Sequence, residues 1–432
     1  MRRVLRAWQL LANVLLLTVA AWLAVQSPGR AIVIAALVPI AFSPFSYARL
    51  KVHDRLAPLC GRCPWPTAVL FALTLLGCVA DALMIAQLLT ARSPMTFPIV
   101  HDPGVTWIGP VWFSTHALWV IGHGVTAPVR RGLRLGRRIW RRYTKVAAAP
   151  VSLERRAVLQ QLGVFSVGAP FAISLSGVSL SYDFRVDEHE IVLSHWPRAL
   201  DGLRVVHLSD IHVGGDMNRE RLLRVAELTN AARPDLVVHT GDFLTHRGGD
   251  FDAPLYEALA RVQAPLGQWA CLGNHDFDDP ERLVRRLRDA GVYTLRNQRI
   301  VLSIQGNPIE LAGFDFAGDR SGRESWYQRI IAGWPAREGA PRLLLNHDPS
   351  AFAVLPAGSA DLVCSGHTHG GHVGVQLGSK AITVVGLLGI PDQGLFERGD
   401  MRLFVTRCVG FYGYPIRLGI PPEIAVLNLR AA

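Results

Sequence analysis

Gly366-His367-Thr368-His369 is the stretch that decides the fold of residues 183–432, because four polar blocks of the same kind precede it. Each block follows a short apolar run. Such runs, bounded by turn residues and separated by helical stretches, are typical of buried strands in an α/β sheet. Open α/β sheets bind ligands beyond the carboxyl ends of their strands, so we predict one site at that edge. The preceding blocks are Asp210-Ile211-His212, Thr240-Gly241-Asp242, Gly273-Asn274-His275-Asp276 and Asn346-His347.

The side chains of these blocks mix carboxylate, amide and imidazole groups. Two divalent ions about 3.5–4 Å apart can clamp a phosphate and activate water, and they need such a mixture around a bridging anion. Imidazole together with carboxylate suits manganese, iron, zinc or nickel better than magnesium or calcium. Gly241, Gly273 and Gly366 are predicted to let the backbone turn sharply, so that the next side chain points into the site. The candidate metal ligands are Asp210, His212, Asp242, Asn274, His347, His367 and His369.

The order of the five blocks over residues 203–430 resembles that of the calcineurin-like metallophosphoesterase superfamily. Residues 365–371 and 413–424 further resemble a bacterial membrane-associated branch of it. The resemblance implies an α/β domain built as a two-sheet β-sandwich flanked by helices. It also implies a metal-dependent phosphoric ester hydrolase that binds two divalent metal ions.

The resemblance further implies a role for each site residue. His275 would lie over the phosphate and stabilise charge or protonate the leaving oxygen, and Asp276 would orient the His275 ring. His372 stands where the branch usually has Gln, and would contact the phosphate or merely replace the amide. Asp242 would bridge the two ions, between which a hydroxide would attack. One ion would be held by Asp210, His212 and His369, and the other by Asn274, His347 and His367.

The remaining histidines and the cysteines of residues 183–432 are expected to be mainly structural. His207 and His239 lie in or at the end of strand-like runs and are predicted to be packed there. His246 follows the Gly-Asp block and is a weaker candidate for the cleft. The odd number of cysteines favours buried free thiols over a disulfide framework. These thiols belong to Cys271, Cys364 and Cys408.

The composition points to a membrane. Half of the 432 residues are hydrophobic and only 18% are charged, which is unusual for a soluble chain of this size. The net charge of +11 is concentrated in the N-terminal part, between apolar stretches, where it is typical of membrane topology. The predicted spans are residues 8–26, 31–47, 66–89 and 105–125, and a fifth apolar stretch covers residues 157–180.

Three regions follow from these patterns. Residues 1–129 are predicted to be a four-span transmembrane region, and residues 183–432 the catalytic domain. Residues 130–182 form a basic loop and a fifth apolar stretch with a twin-arginine-like start. With five spans, the positive-inside rule places the catalytic domain on the extracytoplasmic side of the inner membrane. With four spans it stays cytoplasmic, and we expect the five-span arrangement.

The predicted function is hydrolysis of a phosphate ester or pyrophosphate bond by a membrane-anchored enzyme. The expected partners are a phosphorylated small-molecule or lipid-linked substrate and the lipid bilayer. No nucleic acid is expected, because no aromatic-plus-basic motif accompanies the positive charge. The alternative is a membrane transporter or sensor whose metal-binding domain is regulatory. The apolar stretches show few paired charges and no inverted repeat, which favours the enzyme.

Overall fold

The computed structural model describes residues 108–144, 169–214, 217–245, 252–318, 322–334, 339–377, 380–411 and 415–432. The chain divides into two compact units, Met1–Ser176 and Gly177–Ala432. The first three predicted spans and His246 lie outside the described residues. The predicted domain boundaries stay predictions.

Helix α1, Ile108–Thr144, differs from the prediction. It contains most of the fourth apolar stretch but also the arginine-rich segment that was expected to be a loop, and Pro128 lies inside it. Arginine and leucine are good helix formers, so the change from apolar to basic composition does not end the helix. Across the described residues, no helix combines the length and the apolar character needed to cross a membrane.

The first sheet of the second unit has six strands. Helix α2, residues 169–180, leads into it. Strands β2 to β5 are parallel, and the last strand of the chain, β14, enters between β1 and β2. The strand order is β1 (Arg185–Leu193), β14 (Glu423–Ala431), β2 (Leu203–Leu208), β3 (Leu236–His239), β4 (Gln268–Ala270) and β5 (Val292–Thr294).

The second sheet also has six strands and mixes parallel with antiparallel pairs. Its edge hairpin turns at Gln305-Gly306, with Ile304 paired to Asn307. A separate two-stranded hairpin, β10 (Gly374–Leu377) and β11 (Lys380–Thr383), follows β9 in the chain. The strand order is β12 (Gly394–Arg398), β13 (Met401–Val405), β9 (Leu362–Ser365), β8 (Arg342–Leu345), β7 (Asn307–Gly313) and β6 (Gln298–Ile304).

The two sheets pack face to face, and helices cover their outer faces. Val205 and Leu236 of the first sheet share a core cluster with Leu311 and Leu343 of the second. The α/β class is confirmed, and the described residues form two mixed sheets with helices outside. A short helix, α7 (Val384–Leu387), follows β11. The outer helices are α3 (Arg219–Ala231), α4 (Ala253–Leu259) and α5 (Pro280–Asp289) on the first sheet and α6 (Arg323–Ala332) on the second.

Candidate metal centre

The polar blocks lie where the sequence predicts them, directly after the carboxyl ends of five strands. Asp210, Asp242 and Asn274 follow β2, β3 and β4 of the first sheet. His347 and His367 follow β8 and β9 of the second sheet. Because both sheets present their parallel strands to the same edge of the sandwich, side chains from the two sheets meet there.

Three of the predicted ligands form what we call the first group: Asp210, His212 and His369. Their ligand atoms lie within 4.8 Å of one another, and all three residues are buried. Oδ1 of Asp210 is 3.3 Å from Nε2 of His369 and 3.7 Å from Nε2 of His212. One carboxylate oxygen therefore faces two imidazole nitrogens, as around a shared cation.

The second group consists of Asn274, His347 and His367, and it shares Asp242 with the first group. The ligand atoms of Asp242, His347 and His367 lie within 4.8 Å of one another. Nε2 of His347 is 3.0 Å from Oδ1 of Asn274 and 3.0 Å from Nδ1 of His367. His367 is partly exposed, so this group is more open than the first.

Asp242 connects the two groups. Its Oδ2 atom is 3.5 Å from Nε2 of His212 and 3.3 Å from Nε2 of His347. Its Oδ1 atom accepts a hydrogen bond from the backbone N–H of His275 at 2.8 Å. The structure thus brings all seven predicted ligands together and places this carboxylate between the two groups.

Backbone carbonyls determine which imidazole nitrogen faces the site. His347 donates from Nδ1 to the carbonyl of Thr240 at 2.7 Å, and His369 donates from Nδ1 to the carbonyl of Gly410 at 3.3 Å. When it is neutral, a ring that donates from Nδ1 has a lone pair on Nε2, which is the arrangement that metal-binding histidines need. In both residues, Nε2 is the atom that faces a carboxylate.

The residues present fit a pair of cations. Oδ1 of Asp210 is buried and accepts no hydrogen bond from any described residue. Among those residues, neither Asp210 nor Asp242 is paired with a lysine or an arginine. Buried carboxylates are normally compensated by a positive partner or a metal ion. The donor set of carboxylate, amide and imidazole suits divalent transition metals.

The pKa values show the same excess of negative charge. Burial lowers the pKa of His347, but the charges of Asp242 and Asp210 outweigh burial and raise the pKa to about 10. Burial also raises the pKa of Asp210, yet the surrounding imidazoles hold that pKa well below its usual range. The site therefore favours carboxylate anions and attracts positive charge even in the absence of ions.

The backbone is strained at the predicted ligands. Asp210, His212, Asp242, His367 and His369 adopt positive φ angles between 51° and 68°. A non-glycine residue in this left-handed region costs about 1–2 kcal/mol. Such strain clusters where the surrounding structure holds a functional side chain in a required direction.

The three glycines of the motifs serve two different purposes. Gly241 adopts φ +90°, as the prediction of a sharp turn requires. Gly273 and Gly366 do not have positive φ; instead they lack a side chain where there is no space for one. A Cβ atom on Gly273 would overlap the Asp242 carboxylate, and one on Gly366 would overlap Ser209 and Asp210. The close approach of the loops, more than their turning, requires these two glycines.

Asp276, which was predicted to orient His275, binds backbone N–H groups of the motif loops. Its carboxylate accepts hydrogen bonds from the backbone N–H groups of Asp242 at 2.7 Å, Phe243 at 2.9 Å and Gly273 at 2.8 Å. Burial and the charge of Asp242 raise its pKa to about 7. Asp276 therefore ties two motif loops together through their backbone N–H groups.

His275 lies at the more open side of the centre. Its Nδ1 atom donates to the carbonyl of Thr245 at 3.2 Å. The ring centroid is 5.2 Å from that of His212. Burial lowers the pKa of His275, and the charge of Asp242 opposes this in part. The residue is half-buried, so its ring borders both the metal ligands and solvent.

Three residues that the sequence analysis did not assign to the site support the first group. Ser209 and Cys408 donate hydrogen bonds to Oδ2 of Asp210, the latter from Sγ at 3.1 Å. Arg417 is fully buried and donates to the carbonyls of His369, Cys408, Ile420 and Gly410. Of these three residues, only Arg417 lies in a segment quoted for the family resemblance, residues 413–424.

His207 and His239 are packed in the interior, as expected. His207 donates from Nε2 to Thr240, which donates to Ser209 and so reaches the Asp210 carboxylate. Burial lowers the pKa of His207 to about 3 and that of His239 to about 4. His372 lies beside His369, with ring centroids 4.9 Å apart. Cys271, Cys364 and Cys408 are free and buried, which confirms that prediction.

Comparisons with known proteins agree with this geometry. The sequence model of the calcineurin-like phosphoesterase family matches residues 203–371. YkuE of Bacillus subtilis, an uncharacterized metallophosphoesterase, is 31% identical over 259 residues, which are 56% of this chain and 85% of that protein.

Two further relatives have more informative names. The phosphodiesterase YaeI of Escherichia coli is 28% identical over 239 residues, covering 52% of this chain and 82% of that protein. A transmembrane protein with metallophosphoesterase domain from Danio rerio is 31% identical over 261 residues, covering 57% of this chain and 58% of that protein.

Proposed function

Because the chain belongs to the calcineurin-like phosphoesterase family, we propose that it is a membrane-anchored hydrolase that cleaves a phosphate ester or pyrophosphate bond with two metal ions. The observation that carries the proposal is the position of Asp242. One of its oxygens lies 3.3 Å from His347 and 3.5 Å from His212, and those histidines belong to different groups. A carboxylate placed in this way can bind two cations at once.

The assignment of ligands follows the two groups. Asp210, His212 and His369 would hold one ion, and Asn274, His347 and His367 the other, with Asp242 shared. Divalent ions at such a site polarise phosphoryl oxygens and lower the pKa of water. The left-handed backbone at five of these residues and the carbonyls that hold the imidazoles keep the ligands in place before substrate arrives.

His275 is the residue proposed to act on the leaving group. Its Nδ1 proton is held by the carbonyl of Thr245, which leaves Nε2 to face the substrate. The negative charge of a bound phosphate favours protonation of that nitrogen. The protonated ring then donates from Nε2 to the leaving oxygen as its bond to phosphorus breaks.

Membrane anchoring is supported by the apolar N-terminal stretches and by the Danio rerio relative, which is named a transmembrane protein. We propose a multi-pass protein of the inner membrane with residues 183–432 outside the cytoplasm. Protease added to intact spheroplasts should then degrade this domain. Protection of the domain until the membrane is lysed would instead support four spans and a cytoplasmic site.

The direct test is metal-dependent hydrolysis by the purified full chain in detergent. We expect hydrolysis of bis(p-nitrophenyl) phosphate or p-nitrophenyl phosphate with manganese and its loss on chelation. The double variant Asp210→Ala/His347→Ala removes one ligand from each group and should be inactive. His195→Gln is the matched control, because His195 is exposed and pairs with Asp361 at the other end of β9. Equal activity of the double variant and the parent would refute the assignment.

A further inference from the structure

Residues 373–388 are called the apolar hairpin, and their described part exposes several large apolar side chains. Among the described residues of Gly177–Ala432, the four most exposed large apolar side chains all lie in this segment. Within the described chain, β10 and β11 pair only with each other, so neither large sheet covers them. Apolar groups exposed together mark a surface that binds something. The four are Leu387 (77% exposed), Leu388 (73%), Val384 (61%) and Val375 (60%).

The apolar hairpin is attached directly to the turn that carries His369. Thr368 donates from its hydroxyl to the carbonyl of Asp392 at 2.6 Å, and Thr383 donates to the carboxylate of the same residue. A Cβ atom on Gly371 would lie only 2.9 Å from Thr383, so the two segments are in close contact. Whatever the hairpin binds is therefore held next to the metal centre.

The root of the apolar hairpin also meets the point where the N-terminal apolar region ends. The carbonyl of Gly177, near the end of α2, accepts a hydrogen bond from the backbone N–H of Arg417 at 3.0 Å. The next residue, Leu418, donates to the carbonyl of His372 and accepts from the N–H of Gly374, both at 2.9 Å. Residues 417–418 thus join the end of the fifth apolar stretch to the start of the hairpin.

The charge of the segment favours one kind of partner. Between residues 373 and 391 the only ionisable side chain is Lys380, which lies at the start of β11. An apolar surface with a single basic residue suits the boundary between acyl chains and anionic headgroups. The fifth apolar stretch ends beside the root of the hairpin, so a chain anchored by that stretch holds the hairpin close to a bilayer.

We propose that the apolar hairpin inserts into the surface of the lipid bilayer and so holds the metal centre at the level of the headgroups. This inference rests on the membrane anchoring in the proposed function and deepens it. Leu387, Leu388 and Val384 enter the acyl region.

The test uses the full chain reconstituted into vesicles of phosphatidylcholine and phosphatidylglycerol. Cys60, Cys63 and Cys78 are replaced by serine, since the other three cysteines are buried. An environment-sensitive fluorophore is then attached to Leu387→Cys or to the control Val301→Cys. Val301 is 55% exposed on β6, away from the hairpin. Lipids with a spin label near the headgroup should quench the probe at 387 severalfold more strongly than the probe at 301.

The outcomes separate this inference from the proposed function. Equal lipid quenching at the two positions overturns bilayer insertion. Shielding of the probe at 387 from aqueous iodide without lipid quenching also overturns it, and indicates a protein cover, such as the N-terminal region or a second copy. Hydrolysis of bis(p-nitrophenyl) phosphate by the unlabelled vesicles tests the enzyme itself. Quenching without hydrolysis leaves the hairpin inference standing and refutes the proposed activity.

Discussion

The first and second groups of the metal centre differ in charge and in enclosure. The first group has its own carboxylate, Asp210, and its residues are all buried. The second group offers the neutral amide of Asn274 instead and a partly exposed His367. Coulomb attraction is stronger for ligands with more negative charge and for ligands shielded from water. We therefore expect the first group to bind a cation more tightly than the second, which is more open to solvent. Only Asp242 belongs to both.

The largest expected effect comes from breaking the connection between the groups. Asp242→Asn replaces the shared anion with a neutral amide of the same shape, so both sites lose charge together. We expect hydrolysis to fall roughly 10³-fold and both metals to be lost. Metal analysis of the purified variant by mass spectrometry measures this. Two ions still bound per chain would show that Asp242 does not bridge them.

The next largest effect should leave both groups intact. His275→Ala removes the proposed proton donor but none of the predicted ligands. We expect the metal content to stay at the parent level while turnover falls by about 10²-fold, the lower end of the usual contribution of general acid catalysis. Steady-state kinetics on a diester, with metal analysis of the same sample, checks both parts. Turnover at the parent rate would remove His275 from the mechanism.

Metal removal should distinguish the groups directly. During dialysis against a chelator, the ion in the second group should leave first, because it has one carboxylate fewer and is nearer solvent. A difference of about tenfold in affinity corresponds to 1.4 kcal/mol. Metal content followed over time should show two steps, with activity lost in the first. Loss of both ions in a single step would mean that the two groups are energetically alike.

The smallest effect should fall on the first group alone. Arg417 donates to the carbonyls of His369 and Gly410, and Gly410 holds the His369 ring. Arg417→Lys removes part of this network of hydrogen bonds. A hydrogen bond from a charged group contributes about 1.5–3 kcal/mol, so the loss of one such bond should lower the metal affinity about tenfold.

The matched control is Arg342→Lys. Arg342 is also a buried arginine, but it pairs with Glu310 and the carbonyl of Ser359, away from the metal centre. Both variants should unfold at lower temperature, yet only Arg417→Lys should weaken the tighter step of a calorimetric metal titration. An equal loss of affinity in both variants would reduce Arg417 to a general structural role.

The sequence determined the parts of this protein that depend on local order. Short apolar runs, each followed by turn residues and a polar block, are sufficient to predict strands whose ends share one edge, and all seven predicted ligands meet there. The burial of His207 and His239 was equally predictable, since each lies in or at the end of a strand-like run.

Only the tertiary structure decided which groups support those ligands. Asp276 accepts hydrogen bonds from the backbone N–H groups of residues 242–244, which lie more than 30 positions away in the chain. Cys408 and Arg417 reach Asp210 and His369 from the far end of the chain. Contacts of this kind follow from how two sheets pack, and no local pattern of residues records that packing. The exposure of the apolar hairpin is decided in the same way, by which surfaces the sheets leave uncovered.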